Sequence, residues 1–319
     1  MSEPNAFTGA SVDRAGDGRR RDREWLERQR RDPRARALRL GDRGLRTAGG
    51  GLAFEPLAEA EPHAAAPPVL LGIEAGAPLW AIDEEAPPAQ PRRPALIGAA
   101  GRRGESAPAP PGWIGLREAA GRLSRAEAGL AAYATALLNW HRAHRFCPNC
   151  GALTEPSEGG GARSCPRCGS THHPRTDPVV IMLVTGPAGL LLGRQPSWPE
   201  RRYSALAGFV SPGESLEEAV VREVEEEAGV AVGAPRYVSS QPWPFPASLM
   251  IGFEVPWEAG DPGGSDPELQ DVRWFDRGAV AEAASREEEW DGSEPAGELQ
   301  LPPRTAIARR LVEGWLNPA

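Results

Sequence analysis

The chain has 319 residues, enough for two or three domains, with 25% charged residues and a net charge of −8. That acidic balance argues against a constitutive coat on nucleic acid. All 36 basic residues are Arg, so Schiff-base chemistry is excluded and any phosphate clamp must be built from guanidinium groups.

No run of about 18 apolar residues is present, so no membrane-spanning helix is expected. The N-terminus has no signal-peptide core, and a cytoplasmic protein without a membrane partner is the expectation. Residues 1–23 are polar and Arg-rich without periodicity and read as a disordered tail. A short helix is expected at 24–30. Apolar segments bounded by Gly or Pro follow at 37–40, 51–54, 69–73 and 78–82, which predict strands of a small sheet domain over 24–138. It holds no catalytic constellation and reads as a scaffold or dimerisation unit. A Pro/Ala/Gly-rich loop is expected at 84–111. Residues 116–145 have a helical pattern, with a capping box in Ser124 and Glu127. His141 and His144 stand at i, i+3. This spacing suits a metal, but a basic helix end is the preferred reading.

All four cysteines lie in two Cys-x-x-Cys knuckles, Cys147/Cys150 and Cys165/Cys168, fourteen residues apart. Four thiolates at this spacing predict a closed tetrahedral Zn²⁺ site, structural because it has no open position, within a ribbon over 139–173. Disulfides are the alternative that a cytoplasmic setting disfavours. Only Arg163 is basic between the knuckles and no aromatic is present, which makes the ribbon a poor platform for stacking bases.

The rest, 174–319, reads as a mixed sheet between helices. Residues 178–184 form a continuous apolar run, a turn at 186–189 leads to 190–194, and further strands are expected at 236–239, 249–254 and 272–275. A closing helix is expected at 302–316. Between them, residues 208–214 read as a loop. Ser215 and Glu218 form a capping box, a helix is expected over 216–228, and Gly229 is placed to end it. On that helix Glu223, Glu226 and Glu227 share one face. Like charges so close invite a hard divalent cation, although a solvated acidic helix is the bland alternative.

The spacing decides between them. Gly208, Glu214, Arg222-Glu223-Val224, Glu226-Glu227 and Gly229-Val230 resemble the Nudix box at nine defined positions over 23 residues. The segment 240–248, Ser-Gln-Pro-Trp-Pro-Phe-Pro-Ala-Ser, alternates three prolines, so it reads as a rigid extended element outside the central ladder. Trp243 and Phe245 held stiffly, with Gln241 and Ser248 as polar ends, suit a flat heteroaromatic ring. This segment resembles the SQPWPFPxS signature of the NADH pyrophosphatase family of Nudix hydrolases, whose members also carry a four-cysteine ribbon before the Nudix domain. The similarity covers roughly residues 116–315.

That resemblance implies an α+β protein: a Nudix α/β/α sandwich with a mixed sheet, preceded by a zinc ribbon and a small N-terminal α+β domain. It implies hydrolysis of NAD(H) to nicotinamide mononucleotide and AMP, removal of NAD caps from RNA, Mg²⁺ or Mn²⁺ as catalytic metal, and a homodimer. By motif position, Glu223, Glu227, Glu268 and the Ala207 carbonyl hold the metal, and Glu226 or Glu227 acts on the attacking water. Glu214 and Arg222 brace the loop and helix. Gln241, Pro242, Trp243, Pro244, Phe245, Pro246, Ala247, Ser248, Ala308 and Arg117 contact substrate. So does His173, where the family usually has an aromatic, often Tyr; Gly160 replaces an acidic residue of some members. The rival readings are a zinc-ribbon RNA-binding protein on a non-catalytic Nudix scaffold and a hydrolase of other dinucleotides.

Overall fold

The structure is a computed structural model that describes residues 4–84, 109–263, 268–286 and 297–318. The loop expected at 84–111 lies, apart from its two ends, outside the described residues.

The N-terminal unit is a seven-stranded mixed sheet. Its main path runs Gly51–Leu52, Gly44–Ala48, Arg36–Gly41, Ala77–Asp83, Val69–Glu74. Phe54–Pro56 pairs with Arg36–Gly41, and Trp113–Ile114 with Gly44–Ala48. Successive residues of Ala77–Asp83 point to opposite faces, as a strand requires. Leu79 and Ala81 join Leu38, Leu71, Leu130 and Leu137 under the long helix Arg125–Ala143. Trp80 and Ile82 join Leu57 and Leu70 on the other face, with Leu26 of helix Arg23–Arg31 packed over them.

The segment expected as a disordered tail is docked over its described residues, 4–23. Phe7 is 3% exposed and Ala15 fully buried, and Asp17–Arg21 is a short helix. The Asp13 N–H donates to the Ile73 carbonyl at 3.0 Å, and Ile73 N–H returns the bond to Asp13 at 2.8 Å. A few apolar side chains spaced among polar ones are enough to dock such a segment when a neighbouring surface receives them, and average composition does not reveal it.

The ribbon is three short antiparallel strands, Glu155–Ser157, Ala162–Ser164 and Thr171–His172, with Glu158–Gly160 as the tip of the first hairpin.

The second large sheet follows the path Ala231–Val232, Ser248–Ala259, Asp177–Gly186, Gly189–Arg194, Asp271–Phe275. Leu206–Phe209 adds to Asp177–Gly186 and Arg236–Trp243 to Ser248–Ala259. Asp177–Gly186 runs parallel to Ser248–Ala259 and is covered on both sides, hence its unbroken apolar run. Val179, Ile181 and Leu183 face Ile307, Leu311 and Val312 of the closing helix, Ile307–Leu316. Val180, Met182 and Val184 face Ala219, Val220 and Val224 of the helix Leu216–Ala228. The α/β/α sandwich is thus a period-2 strand pattern between two apolar helix faces.

Ser240 to Trp243 are extended and outside the central ladder, as their prolines require: they close the strand Arg236–Trp243, which lies at an edge. The closing helix begins at Ile307, after Pro302 and Pro303. A further helix, Arg277–Ser285, follows the last strand with Asp276 as its N-cap. Its alanine-rich stretch carries only Val280 and Ala283 into the core, too faint a periodicity to read in sequence.

Candidate active site

The helix Leu216–Ala228 starts at a reciprocal cap: Ser215 N–H donates to Glu218 Oε2 at 2.8 Å and Glu218 N–H to Ser215 Oγ at 3.2 Å. It stops at Gly229, whose left-handed φ of 69° turns its N–H back to the Glu225 carbonyl at 2.9 Å. Its apolar face, Ala219, Val220, Val224 and Ala228, is buried against the sheet. The carboxylates fall at the margin of that face.

Arg222 organises them. A guanidinium has five N–H donors in a planar fork, and here each has an acceptor. Nε and Nη2 hold both oxygens of Glu214 at 2.5 and 2.9 Å, and Nη2 also holds the Phe209 carbonyl at 3.0 Å. Nη1 reaches Glu223 Oε1 and Glu226 Oε2, each at 2.8 Å. Arg222 holds the Glu214 carboxyl down at about 2, with the Ser211 N–H adding to the effect. Part of the repulsion that sequence reasoning assigned to a cation is therefore relieved by this arginine.

The relief is incomplete. One guanidinium meets three carboxylates, Glu214, Glu223 and Glu226, which leaves two negative charges over. Burial raises the pKa of Glu223 above its ordinary value; Arg222 opposes the shift, and the charges of Glu226 and Glu268 reinforce it. A surplus of hard oxygen donors around a half-buried carboxylate fits a divalent cation by donor chemistry. Glu227 is 5% exposed and accepts the Ala207 N–H at 3.3 Å. Glu226 faces solvent. Gly208 pairs with Val180 in the sheet. A Cβ built on it would lie 1.8 Å from Cδ of Glu223, so the glycine is what lets that carboxylate lie against the strand.

The four cysteine sulfurs all lie within 4.8 Å of one another, with Cys147–Cys168 at 3.6 Å and Cys150–Cys165 at 3.5 Å. A tetrahedron of Zn–S bonds near 2.3 Å has edges of about 3.8 Å, so the quartet fits zinc. Among the described residues no second group of three such side chains is gathered as closely.

His141 is not a ligand. Its Nε2 lies 2.8 Å from the Gly160 carbonyl, and its Nδ1 3.0 Å from Arg163 Nη1. A carbonyl only accepts and a guanidinium only donates, so the ring is neutral with its proton on Nε2. Burial, assisted by Arg163 and opposed by the Gly160 carbonyl, lowers its pKa to about 4. Arg163 is itself buried, with Nε on Thr154 Oγ1 at 2.7 Å and Nη2 on the Thr154 carbonyl at 2.6 Å. The one basic residue between the knuckles is spent on joining ribbon to helix, which removes the ribbon's main prospect as an RNA platform.

The residues expected to contact substrate divide. Trp243 and Phe245 are half-buried, edge to face at 5.0 Å, and Arg117 lies over their rings at 5.2 and 4.1 Å. Pro242, Pro246 and Ala247 are half-buried beside them and Pro244 is buried. Gln241 is fully buried. Its Nε2 donates to the carbonyls of Thr305 (2.8 Å) and Ala6 (3.3 Å), while its Oε1 accepts the Ile307 N–H at 2.8 Å. It anchors the segment to the closing helix, and Ser248 and Ala308 are buried with it at 7% and 4% exposure. His173 is exposed in the linker after Thr171–His172. Sequence reasoning missed Asn5 and Phe7, which touch this wall from more than 230 positions away. No local signal in 4–15 announces them.

A mixed sheet between helices that carries an arginine-braced glutamate helix defines a Nudix domain, and residues 175–294 match the NUDIX domain family. Residues 142–172 match the NADH pyrophosphatase zinc ribbon domain and 29–140 the NADH pyrophosphatase-like rudimentary NUDIX domain. NAD-capped RNA hydrolase NudC of Mycobacterium bovis (strain BCG / Pasteur 1173P2) is 39% identical over 291 residues, 89% of this chain and 84% of that protein. NudC of Stutzerimonas stutzeri (strain A1501) is 41% identical over 204 residues, 64% of this chain and 67% of that protein. NAD-capped RNA hydrolase NUDT12 of Homo sapiens is 42% identical over 206 residues, 61% of this chain and 43% of that protein. The chain thus spans less than half the length of the primate relatives it matches. It belongs to the zinc-ribbon-bearing NADH pyrophosphatase family of Nudix hydrolases.

Proposed function

We propose that this protein hydrolyses the pyrophosphate of NAD(H) to AMP and nicotinamide mononucleotide, and that it removes NAD caps from RNA 5′ ends by cutting the same bond. The observation that carries the hydrolase reading is the glutamate helix with its charge surplus: a binding module has no use for carboxylates crowded past what Arg222 neutralises. The substrate reading rests on the aromatic wall and on the activity named for the relatives.

Glu223, Glu227, Glu268 and the Ala207 carbonyl are assigned to hold Mg²⁺ or Mn²⁺. Such an ion, when bound, neutralises charge on the pyrophosphate oxygens during in-line displacement. Glu226, the solvent-facing carboxylate, is assigned to orient the attacking water and take its proton; Arg222 sets its direction. Glu227, buried on the Ala207 amide, has no comparable access to water. Trp243 and Phe245 are assigned to the heteroaromatic ring. Among the described residues Arg117 has no carboxylate partner, and its guanidinium is free to answer an anionic phosphate from its place on the rings. Pro242, Pro244, Pro246 and Ala247 stiffen the wall. Gln241, Ser248 and Ala308 fix it from behind, and His173 is assigned to its open side. Zn²⁺ stays structural.

Incubation with NADH and Mn²⁺, followed by chromatography, should show AMP and reduced nicotinamide mononucleotide, and Glu227→Gln should abolish both. Products from another diphosphate compound alone would keep the hydrolase and discard NAD(H). A homodimer in the cytoplasm completes the proposal; a monomer mass in sedimentation would remove that part.

A further inference from the structure

We propose that Phe7 is a specificity-setting residue, a positioning group that holds Trp243 and Phe245 in the orientation that grips the substrate ring. The inference rests on the reading of those two rings as the ring-binding wall and adds what fixes them.

Phe7 is anchored in the N-terminal unit. It is 3% exposed and belongs to the same buried cluster as Leu130, Ala131 and Leu137. Its ring packs edge to face with Trp243 at 6.3 Å and 70°, and with Phe245 at 6.1 Å and 63°. With the 5.0 Å contact between Trp243 and Phe245, the three rings close a triangle of edge-to-face pairs, the arrangement that ring quadrupoles favour. Two of the rings are half-exposed and belong to the wall. The third comes from a different unit of the chain.

The backbone is bent to put it there. Phe7 has φ of 63°, in the left-handed region that a bulky residue adopts only when its surroundings over-determine it. Those surroundings are clear. The Asn5 side chain donates to the Ser240 carbonyl at 2.7 Å and to Ser239 Oγ at 3.1 Å, and Gln241 donates to the Ala6 carbonyl. Thr8 Oγ1 closes the turn on the Asn5 carbonyl at 2.6 Å. On the other side the long helix presents Gly129, where a Cβ would come within 2.8 Å of the Ala10 amide nitrogen. A residue whose only task was to fill the core would not need a strained backbone clamped to the edge strand that carries the wall. Strain held in place by bonds to the catalytic domain points to positioning, and it gives the N-terminal unit a part in substrate choice.

The test is steady-state kinetics on NADH for Phe7→Ala, Phe7→Leu, Asn5→Ala and Trp243→Ala, with thermal melting of each. Loss of two edge-to-face contacts should raise KM about tenfold in Phe7→Ala, with kcat within about twofold. Phe7→Leu fills the core without an aromatic edge and should keep most of that KM rise while restoring the melting temperature. Asn5→Ala, which releases the clamp without opening the core, should move KM in the same direction. Combining Phe7→Ala with Trp243→Ala should give less than the product of the two single effects. A rise in KM in Trp243→Ala, with wild-type KM in both Phe7→Leu and Asn5→Ala, would overturn the proposal and leave the wall intact. Wild-type KM in Trp243→Ala would instead overturn the wall reading. A fall in kcat or in melting temperature alone, with KM unchanged, would reduce Phe7 to core packing.

Discussion

The glutamate helix and the aromatic wall serve one proposed reaction but are assembled in opposite ways. The carboxylates held by Arg222 lie close in sequence: Arg222 takes Glu214, Glu223, Glu226 and the Phe209 carbonyl, all between residues 209 and 226. Ser215, Glu218 and Gly229 set the ends of the same helix. The wall is gathered from the whole chain, with Asn5 and Phe7, Arg117, Gln241 to Ser248, and the Thr305 carbonyl and Ile307 amide behind it. On the proposed reading, chemistry that depends on charge density sits on a short rigid motif. Recognition of a large, flat ligand would draw surface from several units, and the wall is spread out accordingly.

The sharpest way to break this comparison is to strike the local motif. Glu227→Gln keeps the shape and removes the charge, and kcat should fall on the order of 10³-fold with little change in melting temperature. Near-normal turnover would remove the helix from the chemistry. Gly208→Ala tests the same motif without touching a carboxylate. The added methyl displaces Glu223, and a shift of that kind should cost about 100-fold in kcat while the sheet stays intact. A kcat close to wild type would mean that the close approach of Glu223 to the strand has no catalytic use.

A third prediction concerns the seam between ribbon and helix, which is assembled across the chain like the wall. His141 is held neutral with its pKa lowered from 6.5 to about 4, whereas the unfolded chain binds a proton at the ordinary value. Stability is therefore fully present above pH 6.5 and is lost as pH falls towards 4, by roughly 3 kcal/mol across that window. Denaturant titrations at pH 7 and pH 4.5 measure it, and His141→Gln should flatten this part of the slope. An unchanged slope would show that the ring titrates at its ordinary value in the folded protein.

Legibility in the sequence follows the same division. The Nudix box, the two caps, the cysteine quartet and the strand at 178–184 were readable because each is defined by neighbours a few residues apart. The strand Gly44–Ala48 and the helix Arg277–Ser285 were not, having weak periodicity of their own and taking their place from packing. The docked N-terminal segment reads as a tail for a related reason: its polar average hides Phe7 and Ala15, and only the receiving surfaces make them core residues. Gln241 was legible as important but its task was not. An amide flanked by prolines and aromatics reads as a ligand contact, and only the fold shows the Thr305 and Ile307 backbone groups that claim it.

Turnover is assigned to one region and affinity to the other, and one comparison on NADH with Mn²⁺ tests that separation. Kinetics of Trp243→Ala should show KM raised about tenfold with kcat nearly unchanged. Calorimetric binding of NADH to Glu227→Gln should show affinity close to wild type although turnover is lost. If Trp243→Ala lowered kcat with KM unchanged, or if Glu227→Gln lost its affinity for NADH, the division between the helix and the wall would be contradicted.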